Sequence, residues 1–415
     1  MILSHKFFCR SIFKLMIEQH KKIIIIGGGI LGLSIARQLM KRGFKNLIIL
    51  EKDESIALHQ SSRNSGVMHS GLHYKPNSLK ANLSRKGIFL LKDYCNKNSI
   101  KWEECGKIVV ASELNEIERL EKLFIRGQAN GLKGIKKLSS KEVNSIEPYV
   151  NAEAGIIVPE ESIVNYLDVA NKFKEEIISL GGSIKYSSKV VDVKHFINYE
   201  ELILENGELI EGELIISTAG IYSDKLAKIL NIDIDNKQIL PFRGEYYLLK
   251  PSFEYLVKGL IYPVPNPSLP FLGVHFTKLI KGGVEAGPNA VLALAREGYK
   301  WQIINFKELY ESLSYIGLQK FILKYPLVSS SEILRSLLKP IFVKSLQRLI
   351  PDITGKMLSS GNAGIRAQLM NTQGDLEQDF DIRIKDNIVL ILNAPSPAAT
   401  SSLSISEYVV DIITR

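Results

Sequence analysis

The stretch that decides the fold is residues 21–36, KKIIIIGGGILGLSIA. Its run of four isoleucines is β-branched and uniformly apolar, as in a strand buried on both faces of a parallel sheet. Gly27, Gly29 and Gly32 follow, and the apolar spacing after them predicts a helix. In a strand–turn–helix unit such glycines permit the tight turn, the approach of a pyrophosphate and close helix packing. The segment therefore predicts a dinucleotide-binding fold.

A second predicted strand, residues 47–50, ends in Glu51. A carboxylate at about 20 residues past the last glycine accepts hydrogen bonds from ribose hydroxyls and repels a 2′-phosphate, which disfavours NADP. The alternative is a glycine turn that binds nothing, and the placement of the acid disfavours it. The motif on its own does not distinguish FAD from NAD.

Three further segments favour FAD. Residues 61–66 are small and polar and suit a loop beside a flavin, where Arg63 adds charge. Residues 213–224 predict a strand ending in small residues at the cofactor edge of the sheet. Residues 388–402 predict a strand and then a helix start, whose dipole suits the anionic edge of a flavin. The other predicted cofactor residues are Ile30, Leu31, Lys52, Ser62, Asn64, Ser65, Gly66, Val190, Val191, Ala219, Gly220, Pro397, Ala398, Ala399 and Thr400.

Length and composition limit the remaining function classes. With 415 residues the chain predicts two lobes, and its net charge of +9 attracts anionic substrates, lipid headgroups or RNA. No run of like charge is long enough for a nucleic-acid tail, so no nucleic-acid partner is expected. Cys9, Cys95 and Cys105 form no CxxC pair and the histidines no HExxH motif, so no metal is predicted. Residues 1–20 fit an amphipathic surface helix, a degenerate targeting segment, or sequence ahead of a start at Met16.

Longer strings resemble one family. The chain is similar to the D-amino-acid-oxidase-like flavoproteins and, among them, to the L-2-hydroxyglutarate oxidase/dehydrogenase family. His73 departs from that family, which more often has Tyr at this place. The strings that carry the resemblance are 64–71 (NSGVMHSG), 74–76 (YKP), 78–81 (SLKA), 241–246 (PFRGEY), 261–265 (IYPVP), 270–277 (PFLGVHFT), 287–293 (GPNAVLA), 364–368 (GIRAQ) and 393–402 (NAPSPAATSS).

The resemblance implies an α/β fold: a glutathione-reductase-like, Rossmann-type FAD-binding domain with an inserted substrate domain of α+β type, built on a mixed or antiparallel sheet. The expected limits are an N-terminal extension at 1–20, FAD-binding parts at 21–100, 146–235 and 355–415, and substrate-domain parts at 101–145 and 236–354. It also implies oxidation of L-2-hydroxyglutarate to 2-oxoglutarate, with hydride passing from the alcohol carbon to the flavin.

Such a substrate carries two carboxylates and a secondary alcohol. A site for it needs a fixed cation, best an arginine, and a base for the hydroxyl proton. Arg366 and Arg243 are the candidate carboxylate ligands, each with an interdomain ion pair as the alternative. His69 and His275 are the candidate bases, with a structural histidine as the alternative. The sequence does not choose between the two histidines.

Other interpretations stay open. An amine oxidase of the glycine or sarcosine type and a glycerol-3-phosphate dehydrogenase share the 61–71 loop pattern. A basic, RNA-associated flavoprotein module is a more remote alternative. The electrons are expected to pass to a quinone or to oxygen. The expected location is the cytoplasm, with peripheral contact at the inner face of a membrane, or the mitochondrion in a eukaryote.

Overall fold

The computed structural model describes residues 18–267 and 270–414. The predicted N-terminal extension, including Cys9 and Met16, therefore lies almost wholly outside the described residues.

The described strands form four sheets. The first sheet, which carries the glycine turn, contains β1 (Ile23–Ile26), β2 (Leu47–Leu50), β9 (Ser183–Lys185), β13 (Leu214–Ser217), β20 (Asp381–Lys385) and β21 (Ile388–Asn393). The second and largest sheet contains β5 (Lys107–Ala111), β6 (Lys136–Ser139), β7 (Ala154–Val158), β14 (Gln238–Leu249), β15 (Leu260–Pro263), β16 (His275–Lys278), β17 (Val284–Gly287), β18 (Val291–Leu292) and β19 (Leu358–Met370). The third sheet contains β3 (Val67–Met68), β4 (Trp102–Glu103) and β8 (Ser162–Val164). The fourth sheet contains β10 (Val190–His195), β11 (Glu200–Leu204) and β12 (Leu209–Gly212).

Helices cover these sheets. They are α1 (Ile30–Lys41), α2 (Leu79–Lys97), α3 (Ile117–Ala129), α4 (Ser140–Ile146), α5 (Tyr166–Ser179), α6 (Ser223–Ile229), α7 (Phe306–Ser314), α8 (Ile316–Lys324), α9 (Pro326–Leu337), α10 (Lys339–Leu346) and α11 (Ser402–Thr414).

The first sheet has the order β20-β21-β13-β1-β2-β9 and is parallel except at β20. Its central strand β1 is buried along its whole length. Ile23 and Ile25 belong to the core formed with α1, α5 and α11, whereas Ile24 and Ile26 face the core under the β10–β12 sheet. A strand covered on both faces needs apolar residues at every position, which explains the unbroken isoleucine run.

The chain closes this lobe with residues from both of its ends. α11 packs against α1, and the Ser34 hydroxyl donates to the carbonyl oxygen of Ser402, 368 residues away. The predicted α/β class and the FAD-binding type of fold agree with this arrangement.

The second sheet is built around the long antiparallel pair β14–β19, with Phe242 opposite Arg366. Two of its strands, β7 and β19, fall inside ranges that the sequence assigns to the FAD-binding domain. The reason is that the chain crosses between the sheets within these segments, and apolar spacing does not show to which sheet a strand pairs. The domain limits otherwise stay a prediction.

Candidate active site

The glycine turn joins β1 to α1 and lets the start of the helix pack directly against the turn. Gly27 has a φ of +108°, and a Cβ on Gly32 would lie 2.0 Å from the carbonyl oxygen of Gly27. Helix α1 begins at Ile30 with Gly29 as its N-cap, so no cap side chain covers the first turn. The Ile30 N–H donates to the hydroxyl of Ser61 at 2.9 Å. The helix therefore presents its N-terminus to an anionic group such as a pyrophosphate.

Glu51 lies beside this turn, at the end of β2. Its Oε2 accepts from the N–H of Gly28 at 2.6 Å and its Oε1 from the N–H of Asp53 at 3.0 Å. Burial raises the pKa of Glu51, an effect that these two backbone hydrogen bonds oppose. The carboxylate is thus fixed where a ribose would lie in a dinucleotide fold.

A cavity of about 1500 Å³ runs from the glycine turn to the second sheet. Its volume exceeds the range of ~300–1,000 Å³ that is usual for drug-sized ligands, as a dinucleotide requires. All of the predicted cofactor residues line it except Gly32, Ser62 and Gly66. Gly32 instead lets α1 pack onto the turn, and a Cβ on Gly66 would lie 2.4 Å from the carbonyl oxygen of Val164. The N–H groups at the start of α1, the Glu51 carboxylate and the glycine turn without side chains together fit FAD.

Three of the four predicted catalytic residues meet in this cavity: His69, His275 and Arg366. Arg243 is not among its lining residues. The Arg243 guanidinium is fully buried, with Nε 3.0 Å from Oε1 of Glu245 and Nη1 donating to the carbonyl oxygen of Gly298. Its plane also lies over the Trp301 ring. The structure therefore places Arg243 in an internal ion pair.

The alternation of side chains along a strand explains why Arg366 and Arg243 lie on opposite faces of the second sheet. Arg366 of β19 is paired with Phe242 of β14, and paired residues of an antiparallel sheet project to the same face. Arg243 is the next residue along β14 and so projects to the opposite face. Because residues 239–244 are all buried, the sequence did not show which face borders the cavity.

The Arg366 side chain is positioned for an anion. It lines the cavity with its guanidinium 5.7 Å from the centre of the Phe271 ring. Among residues 18–267 and 270–414, no carboxylate pairs with it. Tyr246 also lines the cavity close enough for Arg366 to act on its hydroxyl, opposing the rise in pKa that burial causes. An unpaired guanidinium in a partly closed cavity is suited to a carboxylate ligand.

His275 is a buried, neutral imidazole. Its Nδ1 lies 3.0 Å from the carbonyl oxygen of Gly273, which can only accept, so the proton sits on Nδ1 and Nε2 keeps its lone pair. The ring stacks on Tyr262 with 3.9 Å between centroids. Burial lowers the pKa of His275 to about 3; the Gly273 hydrogen bond opposes this and the Arg366 charge adds to it. His275 is therefore a hydrogen-bond acceptor and a weak base.

His69 lies beside a buried carboxylate. Its Nδ1 is 3.3 Å from Oε2 of Glu161, whose Oε1 accepts from the Lys107 ammonium at 2.8 Å and from the Ser70 hydroxyl at 2.7 Å. Burial by itself would raise the pKa of Glu161, but Lys107 and His69 hold it well below its ordinary value. The carboxylate is thus ionised and fixes the imidazole ring. No described residue hydrogen-bonds Nε2 of His69.

Several residues of this site were missed at the level of sequence. Ser61 belongs to the predicted loop of residues 61–66, but its hydrogen bond to the N-terminus of α1 joins residues 31 apart and is visible only in the folded structure. Glu161 and Lys107 come from strand regions with no motif, and their pairing spans 54 residues. Tyr246 and Tyr262 lie inside strings that carried the family resemblance, which was the available signal.

The profile of the FAD dependent oxidoreductase family, DAO, matches residues 22–412. The chain belongs to the FAD-dependent oxidoreductase family. It is 46% identical over 391 residues to the L-2-hydroxyglutarate dehydrogenase of Indibacter alkaliphilus, covering 94% of this chain and 98% of that protein. It is 39% identical over 407 residues to the mitochondrial L-2-hydroxyglutarate dehydrogenase of Homo sapiens, covering 94% and 88%.

Solved structures show the same fold in other FAD-dependent oxidoreductases. An L-alpha-glycerophosphate oxidase from Mycoplasma pneumoniae with FAD bound has a TM-score of 0.75 at 22% identity, over 96% of both chains. A glycine oxidase from Geobacillus kaustophilus has a TM-score of 0.72 at 15% identity, over 95% and 94%. The prediction of FAD as the cofactor and the resemblance to the L-2-hydroxyglutarate oxidase/dehydrogenase family are both confirmed.

No helix within the described residues has the length and apolar character that a membrane crossing requires. The same part of the chain contains no group of histidine, cysteine or acidic side chains arranged to hold a metal ion.

Proposed function

We propose that the protein oxidises L-2-hydroxyglutarate to 2-oxoglutarate. The observation that carries the proposal is the unpaired Arg366 facing a cavity that it shares with His69 and His275. Two relatives that are similar over nearly their whole length bear the name of this dehydrogenase. Bound FAD would accept the hydride from the alcohol carbon, and the side chains below do the rest.

Arg366 binds one substrate carboxylate in this proposal. Its planar guanidinium can make two parallel hydrogen bonds to a carboxylate, which fixes orientation as well as position. Tyr246 is near enough to add a hydroxyl donor. Arg243, committed to Glu245, takes no part.

His69 is the proposed base for the hydroxyl proton. The Glu161 carboxylate fixes its ring and stabilises the imidazolium that forms when Nε2 takes the proton, as a carboxylate does in other histidine-based sites. Glu161 is thus a positioning residue. His275, with its low pKa, holds a proton poorly, so we assign it a hydrogen bond accepted at Nε2 from the substrate.

The test is anaerobic mixing of the purified, FAD-loaded protein with L-2-hydroxyglutarate. The expected result is loss of the flavin's long-wavelength absorbance, with D-2-hydroxyglutarate as the matched control because only the configuration at the alcohol carbon differs. Bleaching by glycine or glycerol 3-phosphate, and none by L-2-hydroxyglutarate, would contradict the proposal.

We also propose that electrons leave to a quinone at a membrane surface, with the protein on the cytoplasmic side or, in a eukaryote, in the mitochondrion. The helical segment α7–α10 supports this proposal. It exposes large apolar side chains, among them Phe306 and Leu323, and Leu327 is 82% exposed. Residues 306–346 hold six basic and three acidic side chains, which suits anionic lipid. Lys307, Phe321 and Tyr325 of this segment also border the cavity.

Sedimentation with phosphatidylglycerol vesicles tests the membrane proposal. Leu327→Glu should weaken binding, whereas Ile197→Glu should not, because Ile197 is fully exposed but lies between β10 and β11. Turnover with a soluble ubiquinone analogue is expected to exceed turnover with oxygen alone. Equal vesicle binding by both variants, or oxygen as the faster acceptor, would oppose the respective part of the proposal.

A further inference from the structure

A cluster of charged and aromatic residues lies at one end of the cavity. It consists of Lys52, Asp53 and His59, from the loop after β2, and of Glu297 and Tyr299, from the segment after β18. Lys52 Nζ lies 2.9 Å from Oδ1 of Asp53 and 2.7 Å from Oε1 of Glu297. His59 bridges the same two segments, with Nδ1 2.8 Å from the Tyr299 hydroxyl and Nε2 2.8 Å from Oδ2 of Asp53. We call these five residues the bridging cluster.

The bridging cluster sits at the end of the cavity where Glu51 is fixed. Lys52 and Asp53 directly follow Glu51, and Lys52, His59 and Glu297 line the cavity. In a dinucleotide fold the acid at this place faces the adenosine ribose. The cluster would therefore lie beside the adenosine half of bound FAD.

The loop that the cluster holds has no helix or strand of its own between β2 and β3. The same loop provides Ser61, at the N-terminus of α1, and Arg63, whose guanidinium lies 4.2 Å from the centre of the Tyr299 ring. A loop without regular structure must be ordered before it can enclose a ligand, and fixing it in advance lowers that entropic cost. The contacts from Glu297 and Tyr299 fix it from a part of the chain more than 200 residues away in sequence.

A structural ion pair that only joins the two segments is the competing explanation. Lys52, Asp53 and Glu297 are about a quarter to a third exposed, and ion pairs at such sites contribute little to folding stability. Burial lowers the pKa of Lys52, but Glu297 and Asp53 outweigh that effect and raise it, so the ammonium stays charged. The cluster is thus a weak source of fold stability, and it holds the charged Lys52 ammonium between the carboxylates of Asp53 and Glu297.

We propose that Glu297 and Tyr299 form a clasp that retains FAD by holding the loop of residues 51–63 over its adenosine diphosphate half. The clasp belongs to the segment between β18 and α7, so a segment that follows a strand of the second sheet contributes to cofactor retention. The proposal rests on FAD as the cofactor and is independent of which substrate the protein oxidises.

FAD release from purified Glu297→Gln and Tyr299→Phe proteins tests the clasp. Both substitutions keep the size of the side chain. Dilution into buffer with an apo-flavoprotein as trap, followed by flavin fluorescence, gives the release rate. We expect release about tenfold faster in each variant, as for loss of one partly buried charge-assisted or hydroxyl hydrogen bond. Glu208→Gln is the matched control, because its pair with Lys185 has similar exposure but lies away from the cavity.

Two further measurements separate retention from folding. With FAD in excess, kcat for the substrate should equal that of the unaltered protein. The melting temperature of the apo form should also be unchanged, while the rise on adding FAD becomes smaller. FAD release as slow as in the control variant would overturn the clasp. Equal losses of stability in apo and FAD-loaded forms would do the same, since they indicate a structural role only.

Discussion

Nδ1 of His69 lies 3.3 Å from Oε2 of Glu161, and the buried Lys107 ammonium lies 2.8 Å from the other oxygen of that carboxylate. This line of three groups sets His69 apart from His275, whose ring bonds a backbone carbonyl and has no carboxylate partner among the described residues. The two histidines share a cavity but differ in what they can do with a proton. That difference can be measured.

The first prediction concerns the base. His69→Asn should lower the rate of anaerobic flavin reduction by about 10²–10⁴-fold, the usual contribution of general base catalysis, with FAD still bound. His275→Asn should cost about tenfold, as for one hydrogen bond. Stopped-flow absorbance at saturating L-2-hydroxyglutarate measures both. A larger loss in the His275 variant would reverse the assignment.

The second prediction concerns the carboxylate ligand. Arg366→Lys removes the paired donors but keeps the charge, so KM for L-2-hydroxyglutarate should rise about 10- to 100-fold, as expected for about 1.5–3 kcal/mol of charged hydrogen bonding. Arg243→Lys is the matched control: it changes an arginine on the neighbouring strand whose side chain faces away from the cavity. The control should lose stability and keep its KM. Equal KM values in the two variants would remove Arg366 from the site.

The third prediction concerns Glu161. Glu161→Gln leaves the buried Lys107 without a counter-charge, which should lower the free energy of unfolding by about 3–5 kcal/mol. The double variant with Lys107→Met should recover part of that loss. Urea unfolding of the FAD-loaded proteins measures the difference. Single and double variants of equal stability would show that the two groups are not coupled.

The same Glu161→Gln variant tests the positioning role. Without the carboxylate the His69 ring loses the partner that fixes it, so kcat should fall while KM for L-2-hydroxyglutarate stays the same. A purely structural carboxylate would leave kcat of the FAD-loaded protein unchanged.

The fourth prediction concerns Glu285 of β17, whose side chain is buried. Burial raises the pKa of its carboxyl group from an ordinary 4.5 to about 7. Between these values the folded protein keeps a proton that the unfolded chain releases. The resulting stability is fully present below pH 4.5 and is lost as pH rises through 7. Glu285→Gln should therefore be the more stable protein at pH 8, by up to about 3 kcal/mol at ~1.4 kcal/mol per pKa unit.

Denaturant unfolding at pH 5 and pH 8 checks the Glu285 prediction. The difference between the two proteins should be small at pH 5 and should favour the variant at pH 8. A difference that does not change with pH would mean that Glu285 is ionised throughout.

The sequence predicted the local parts of the fold well because their patterns are short-range. The isoleucine run, the glycine turn and Glu51 lie within about 30 residues of one another, as the fingerprint requires. Their strand, helix and second strand appear where the spacing indicated. Family membership and FAD were predicted from strings spread along the chain and are confirmed.

The parts that escaped prediction depend on long-range pairing. Whether Arg243 or Arg366 faces the cavity depends on the phase of β14 against β19, and residues 239–244 are buried on both faces of β14. His59 meets Tyr299 across 240 residues, and no local pattern at either residue points to the other. Strands β7 and β19 lie in ranges predicted for the FAD-binding domain but pair into the second sheet. The reason is the same, because the pairing partner of a strand depends on residues that are distant in sequence.

The contact between α1 and α11, which includes the hydrogen bond from the Ser34 hydroxyl to the Ser402 carbonyl oxygen, has a consequence for biosynthesis. The phosphate-binding turn leaves the ribosome before β21 and the residues ahead of α11, which complete the same cavity. A complete flavin cavity therefore requires that β21 and the residues ahead of α11 have been translated. Until then the apolar faces of β1 and α1 lack their final cover, and exposed apolar surface of this kind favours aggregation.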